Sequence, residues 1–233
     1  MKDYVRNSIQ GSIIAQIVTL FINLYGLSLT VAPADFILKE ILGLETVVQL
    51  IELVFYGWYS NHVSEKLIDV ARYRYYDWIL TTPMMLFTTM AFYSYIFSKE
   101  KDEDDKQKEK APMSLQGFFQ QNSFIIILVF IFNALMLIFG YMAEVGLMSA
   151  IWSSILGYGA LLGSFGFMYK EFVNKVQFSK QGIFWFMFFF WSLYGIAALF
   201  ENHAKNTSYN ILDVFAKNFY GLYLSSYIAR LQI

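Results

Sequence analysis

Lys217 lies in the middle of an apolar run, Asn210 to Ile228, that is long enough to cross a bilayer. Asp213 precedes it by four residues, so on a helix the two side chains share one face. An ammonium group in hydrocarbon costs at least ~2.5 kcal/mol and marks a functional site by default. A snorkelling lysine would sit near a helix end, and Lys217 is near neither end. A second charged pair, Arg74 and Asp77, is spaced three apart and also shares a helix face. If the two faces meet, two carboxylates and an arginine surround one lysine nitrogen. Asp77 and Asp213 then balance a buried cation, and Arg74 offsets the second carboxylate. The competing account is a network that only fixes packing. Buried ion networks are weak sources of stability, so four such groups in one small chain favour a chemical role.

Glu45 and Glu52 are seven residues apart, nearly two helical turns. They stack along one face at a separation of roughly 10 Å. Carboxylates stacked along a span read as a route for cations or protons. The alternative is a pair of neutral, hydrogen-bonded glutamates.

The elements that must position these groups follow from composition and charge spacing. Of the 233 residues, 57% are hydrophobic and 15% charged. Ordinary soluble domains have about 45–50% and about 25%, so a membrane bundle is expected. No charge occurs between Arg6 and Asp35, Lys110 and Glu144, Glu144 and Lys170, or Lys180 and Glu201. Each gap holds the ~20 residues that a spanning helix needs. Seven spans are read, at about 8–31, 36–59, 68–97, 122–142, 146–169, 182–200 and 210–228, forming one all-α membrane domain over 1–233. Pro33 breaks the first span and Asp35 is placed to cap the second. Helices are expected because lipid forces each span to satisfy its own backbone.

The loop 99–110, KEKDEDDKQKEK, reads as a solvated linker. Lys39, the loop lysines, Lys170, Lys175, Lys180 and Arg230 fall on one side of the bundle. Lys2, Arg6, Lys66, Arg72, Arg74 and Lys205 fall on the other. The positive-inside rule then puts the N-terminus outside and the C-terminus in the cytoplasm. The apolar run after Gln10 is too long for a signal peptide and is expected to stay as a helix. Asn206-Thr207-Ser208 fits a glycosylation sequon. With no cysteine and two distant histidines, His62 and His203, no metal site is expected.

Two motifs resemble a known family. The third span reads ARYRYYDWILTTPMM and the seventh LDVFAKNFYG. With seven spans in so short a chain, these are similar to the microbial (type 1) rhodopsins over essentially the whole length. The resemblance implies a photoreceptor rather than an enzyme, with all-trans retinal bound to Lys217 as a protonated Schiff base. By the same matching, Asp77 is the primary counterion, Asp213 the second, and Arg74 the arginine on the outward path. Trp78, Thr82 and Met85 match pocket positions. Trp191 and Tyr194, in WSLYG, match residues lining the polyene, and Trp152 and Met136 are expected in the pocket wall.

Three departures stand out. Thr88 replaces the carboxylate that serves proton pumps of the family as cytoplasmic donor. Gly195 replaces a proline, and Ala198 a pocket tryptophan. The paired glutamates, the missing donor and the Lys217–Asn218 pair resemble the first group of viral rhodopsins, which includes light-gated cation channels. Ser12 is a further match to that group's ion path.

A light-gated cation channel is therefore the leading expectation. An outward proton pump with Glu45 or Glu52 as substitute donor is the alternative. A sensor ranks third, and a seven-helix receptor or transporter without retinal fourth. The implied partners are a lipid membrane, of the host cell if the chain is viral, and monovalent cations or protons. A homo-oligomer is compatible with this reading, and no nucleic-acid partner is implied. Replacing Lys217 with alanine is expected to abolish the visible band that forms on adding retinal to the expressed protein. Normal colour in that variant would refute the attachment site.

Overall fold

The computed structural model describes residues 3–66, 70–104 and 112–233. Lys2, Ile68 at the expected start of the third span, and residues 105–110 of the charged loop lie outside them. Among the described residues all regular elements are helical: α1 (Asp3–Ser28), α2 (Phe36–Lys66), α3 (Val70–Asp104), α4 (Leu115–Glu144), α5 (Ala150–Glu171), α6 (Gly182–Ala197) and α7. The last is continuous but irregular. It runs Asn202–Asp213, passes through a π-helical turn at Val214–Asn218, and resumes as Phe219–Arg230. The described residues thus form seven helices.

The packing is inverted relative to a soluble protein. Phe21, Val54 and Phe124 are among many large apolar side chains on the outside. Glu45, Glu52, Arg74, Asp77, Asp213 and Lys217 are all buried. Exposed apolar surface on this scale suits a lipid solvent. Among the described residues, four helical segments are long and apolar enough to cross a membrane: Tyr4–Ser28, Val70–Lys101, Leu115–Glu144 and Ala150–Lys175. The first part of α7, Asn202–Asp213, is polar, and α6 has only 16 residues.

Helix ends are closed by identifiable groups. Pro33 starts a short 3-10 turn, Pro33–Asp35, between α1 and α2. Lys39 donates from Nζ to the Leu29 carbonyl at 2.9 Å, satisfying an acceptor just beyond the end of α1. The Asp35 carboxylate does not cap α2. It accepts from Tyr95 Oη at 2.8 Å and pairs with Lys99 Nζ at 2.6 Å, both on α3. That cationic partner offers more than a backbone amide would, and it ties the start of α2 to the end of α3. The first part of the expected loop, Lys99 to Asp104, continues α3. Ser114 caps α4, accepting from the Gly117 amide at 3.2 Å.

Around the bundle, α1 packs on α2 and α7, α2 on α3, and α4 on α5. Two ion pairs brace the two ends: Lys205–Glu144 at 2.8 Å joins α7 to α4, and Lys180–Glu100 at 3.0 Å joins the α5–α6 connection to α3. α4 and α5 pack closely, because a Cβ at Gly163 would run into the Phe132 ring. Overpacking of this kind costs about 1–3 kcal/mol. Gly163→Val is therefore expected to lower the melting temperature, followed by helical circular dichroism, by several degrees. An unchanged transition would show that the two helices separate freely.

Candidate functional site

Three helices converge on the Lys217 amine. Nζ donates to Asp77 Oδ2 at 2.6 Å. It lies 3.5 Å from Glu52 Oε1 and 3.8 Å from Asp213 Oδ1. The four side chains are at most 3% exposed. At an effective dielectric near 20, a unit charge about 4 Å away is worth roughly 4 kcal/mol. Carboxylates at these distances can therefore offset the desolvation of one ammonium. The π-helical turn sets the presentation, because Ala216, Lys217 and Asn218 are consecutive and all buried. Single π-turns inside α-helices recur at functional sites.

The three carboxylates are held unequally. Asp213 Oδ1 accepts from Tyr194 Oη at 2.7 Å. Its Oδ2 accepts from Tyr56 Oη at 2.7 Å and from Arg74 Nη1 at 3.1 Å. Arg74 also donates to Asn210 Oδ1, and four rings, of Phe55, Tyr56, Tyr59 and Tyr209, lie 5.3–5.7 Å from its guanidinium. That is an aromatic cage around a fixed cation. Asp77, by contrast, has one oxygen on Lys217, and its Oδ1 meets no protein donor. Glu52 accepts no hydrogen bond at either oxygen.

An apolar cavity begins at the amine and runs between α3, α4, α5 and α6. Trp78, Thr82 and Met85 line it from α3, Met136 and Leu137 from α4, and Trp191 and Tyr194 from α6, with Ala198 just past the end of α6. Thr82 is locked by donating to the Trp78 carbonyl at 2.7 Å and accepting from Asn133 Nδ2 at 2.8 Å. Trp152 corrects the sequence-based expectation. It is 62% exposed and does not line the cavity, whose α5 wall is Ser153, Ser154, Gly157, Tyr158 and Leu161. The rotation of α5 explains this. Ser153 turns inward and donates to the Phe139 carbonyl at 2.6 Å, so the preceding residue faces out. Gly195 has a local reason: a Cβ there would sit 2.7–2.9 Å from the Tyr158 ring, whose hydroxyl donates to the Ser192 carbonyl at 2.5 Å.

The residues read as an ion route separate into two groups. Arg74 and Glu52 belong to the charge cluster, so the lysine has three acidic neighbours where two were expected. Glu45 lies away from it, accepting from Thr88 Oγ1 at 2.5 Å. Ser12 donates to the Asn210 carbonyl at 2.9 Å. Tyr56, Asn210 and Asn133 escaped the sequence reading. Tyr56 carried a usable signal, because it follows Glu52 by four residues on the same face.

A family model described as bacteriorhodopsin-like protein matches residues 8–231. The chain belongs to the bacteriorhodopsin-like family. No curated protein matches it. Among solved structures, the viral rhodopsin OLPVRII superposes with a TM-score of 0.80 at 21% identity, over 98% of this chain and 99% of that one. The blue light-absorbing proteorhodopsin from Med12 gives 0.70 at 18% identity, over 97% of each chain. Xanthorhodopsin, titled a light-driven ion pump with dual chromophore, gives 0.67 at 16%, over 97% of this chain and 93% of that one. At these identities the likeness is one of fold. Members of the family are multi-pass membrane proteins and include light-driven pumps, channels and sensors.

Retinal is the chromophore of the family, and the residues of this chain fit it. A reactive amine stands at one end of an apolar, aromatic-walled cavity, and acids surround the nitrogen. Asp77 is the acid in direct contact, so it stabilises positive charge localised at that nitrogen. Asp77→Asn is expected to shift the visible absorption maximum to longer wavelength, because excitation moves charge away from the nitrogen. An unshifted spectrum would remove Asp77 as the counterion.

Proposed function

We propose that the chain is a retinal-binding photoreceptor acting as a light-gated cation channel, with Lys217 as the attachment site. The observation that carries this reading is the contact between Glu52 and Lys217 Nζ at 3.5 Å. It joins the amine to a buried polar stripe on α2, Glu45, Gln49 and Glu52, rather than leaving it in a closed pocket. A matching stripe on α1, Ser12, Gln16, Thr19 and Asn23, is also buried and faces the same seam with α7.

When bound, retinal supplies light absorption and a change of shape at the lysine nitrogen. The protein does the rest. A displaced Nζ loses Asp77, Glu52 and Asp213 together. Asp213 keeps Tyr194, Tyr56 and Arg74, so it stays in place. Asp77 and Glu52 have no second donor to hold them, so they are the groups free to turn. Two acids turning toward the α1–α2–α7 seam draw water and cations into it. At one end of the seam Arg74 and its aromatic rings close the path, and at the other the Glu45–Thr88 pair does. In the proposed orientation these are the outer and the cytoplasmic ends, with the N-terminus outside. The ions are monovalent cations or protons, and the setting is a lipid membrane, that of the host cell if the chain is viral.

An outward proton pump is the second reading. It is favoured by the Thr88–Glu45 hydrogen bond, which sets a carboxyl group beside the position where pumps of the family carry their donor. Voltage clamp of illuminated cells separates the two. The channel gives photocurrents that reverse sign with membrane potential, and current that stays outward at every potential would contradict it. The pump instead acidifies an unbuffered cell suspension in the light. Uncoupler abolishes that acidification and Glu45→Gln slows it.

A further inference from the structure

Three carboxamides in the seam are explained neither by the charge cluster nor by packing. Gln16 on α1, Gln49 on α2 and Asn218 on α7 are at most 2% exposed. All six of their amide oxygens and nitrogens meet no donor or acceptor of the protein. Buried polar groups are nearly always partnered, by protein or by ordered water. Three orphaned side chains on three helices that pack together point to a shared ligand.

Hydrogen bonds on either side fix their level. Ser12 donates to the Asn210 carbonyl, and Ser225 donates to Asn23 Oδ1 at 3.1 Å. α1 and α7 therefore run in parallel register, which sets Gln16 beside the π-helical turn. α2 runs the other way, with Tyr56 on Asp213 and Glu52 beside Lys217. Gln49 is then one turn beyond the amine. The π-helical turn brings Asn218 inward next to Lys217. The register thus sets Gln16 level with the π-helical turn, Asn218 on it, and Gln49 about one turn further toward the Glu45–Thr88 pair.

We infer that Gln16, Gln49 and Asn218 form a hydrated carboxamide girdle, an internal water site that supplies ligands to a passing monovalent cation. A buried water needs two to four polar partners, which the six amide atoms provide. Carboxamide oxygens are ligands for a hard cation. Being neutral, they hold it without the trap that a carboxylate pair would set, which suits a site that must also release its ion. The ion-conducting half of this inference rests on the channel reading; the hydration half does not.

Two measurements on the retinal-loaded protein in membranes test it. Infrared spectra in heavy water record the O–D stretches of internal water. Gln16→Leu with Gln49→Leu is expected to remove part of those bands while the visible absorption band stays. Unchanged water bands would overturn the girdle, whether or not the protein conducts. Should the leucine variant form no pigment, Gln49→Asn replaces it, with a shifted water band expected and an unshifted one counting against the site. Photocurrents with sodium on one side and potassium on the other supply the second measurement. The leucine variant is expected to carry about tenfold less current or lower, and Gln49→Asn to change the reversal potential. If wild-type protein conducts and both variants match it in amplitude and reversal potential, the girdle fails and the channel stands. If wild-type protein carries no reversing current, the channel reading and the conducting half fail together, and the infrared result still decides the water site.

Discussion

The ion pairing of Lys217 governs this molecule. A primary amine in the middle of a membrane bundle is tolerable only if opposite charge lies within a few ångströms, and α2, α3 and α7 each contribute one carboxylate. With Arg74 the set contains two cations and three carboxyl groups, and it is neutral when one carboxyl holds a proton. That balance dictates which helices must touch, since moving any one of the three away would strand a buried charge. The bundle's polar interior and apolar exterior follow from the same requirement.

Unequal anchoring turns a charge balance into a device. Asp213 is fixed by two tyrosines and an arginine that is itself caged by four rings, so α7 is pinned on the Arg74 side of the lysine. Asp77 and Glu52 depend on the lysine alone. Any event that shifts the nitrogen acts on these two and spares the third. The π-helical turn adds to this, because it places Lys217 against the acids and Asn218 against the seam from adjacent positions in sequence. One irregular turn thus joins the apolar cavity to the polar stripe.

Charge against an apolar background is what made the centre legible. Lys217, Asp213, Arg74 and Asp77 stand out because their neighbours are hydrocarbon, and helical spacing alone sorts them into pairs. Tyr56 was marked only by its spacing of four from Glu52, a faint contrast in a chain with 17 tyrosines. Glu52 was visible as a buried acid, but its distance to the lysine depends on how far α2 slides along α7, which spacing within one helix does not encode. Trp152 was misplaced for a related reason: a residue's place along α5 is readable, while the rotation of α5 is set by Ser153 and its bond to α4. Asp35 looked like a cap until α3 brought Tyr95 and Lys99 to it. The charged segment after the third span joined α3 as far as Asp104, since Lys and Glu are good helix formers once a helix is under way. The π-helical turn has no residue signature and emerges only in the folded backbone.

Chemical trapping of the lysine addresses the centre most directly. Borohydride reduction of the retinal-loaded protein, followed by proteolysis and mass spectrometry, locates the modified amine. A retinyl mass on the peptide containing Lys217, and on no other lysine, is the expected result. An adduct on a different lysine, or none from a protein that has bound retinal, would contradict the assignment of this amine as the chromophore's anchor.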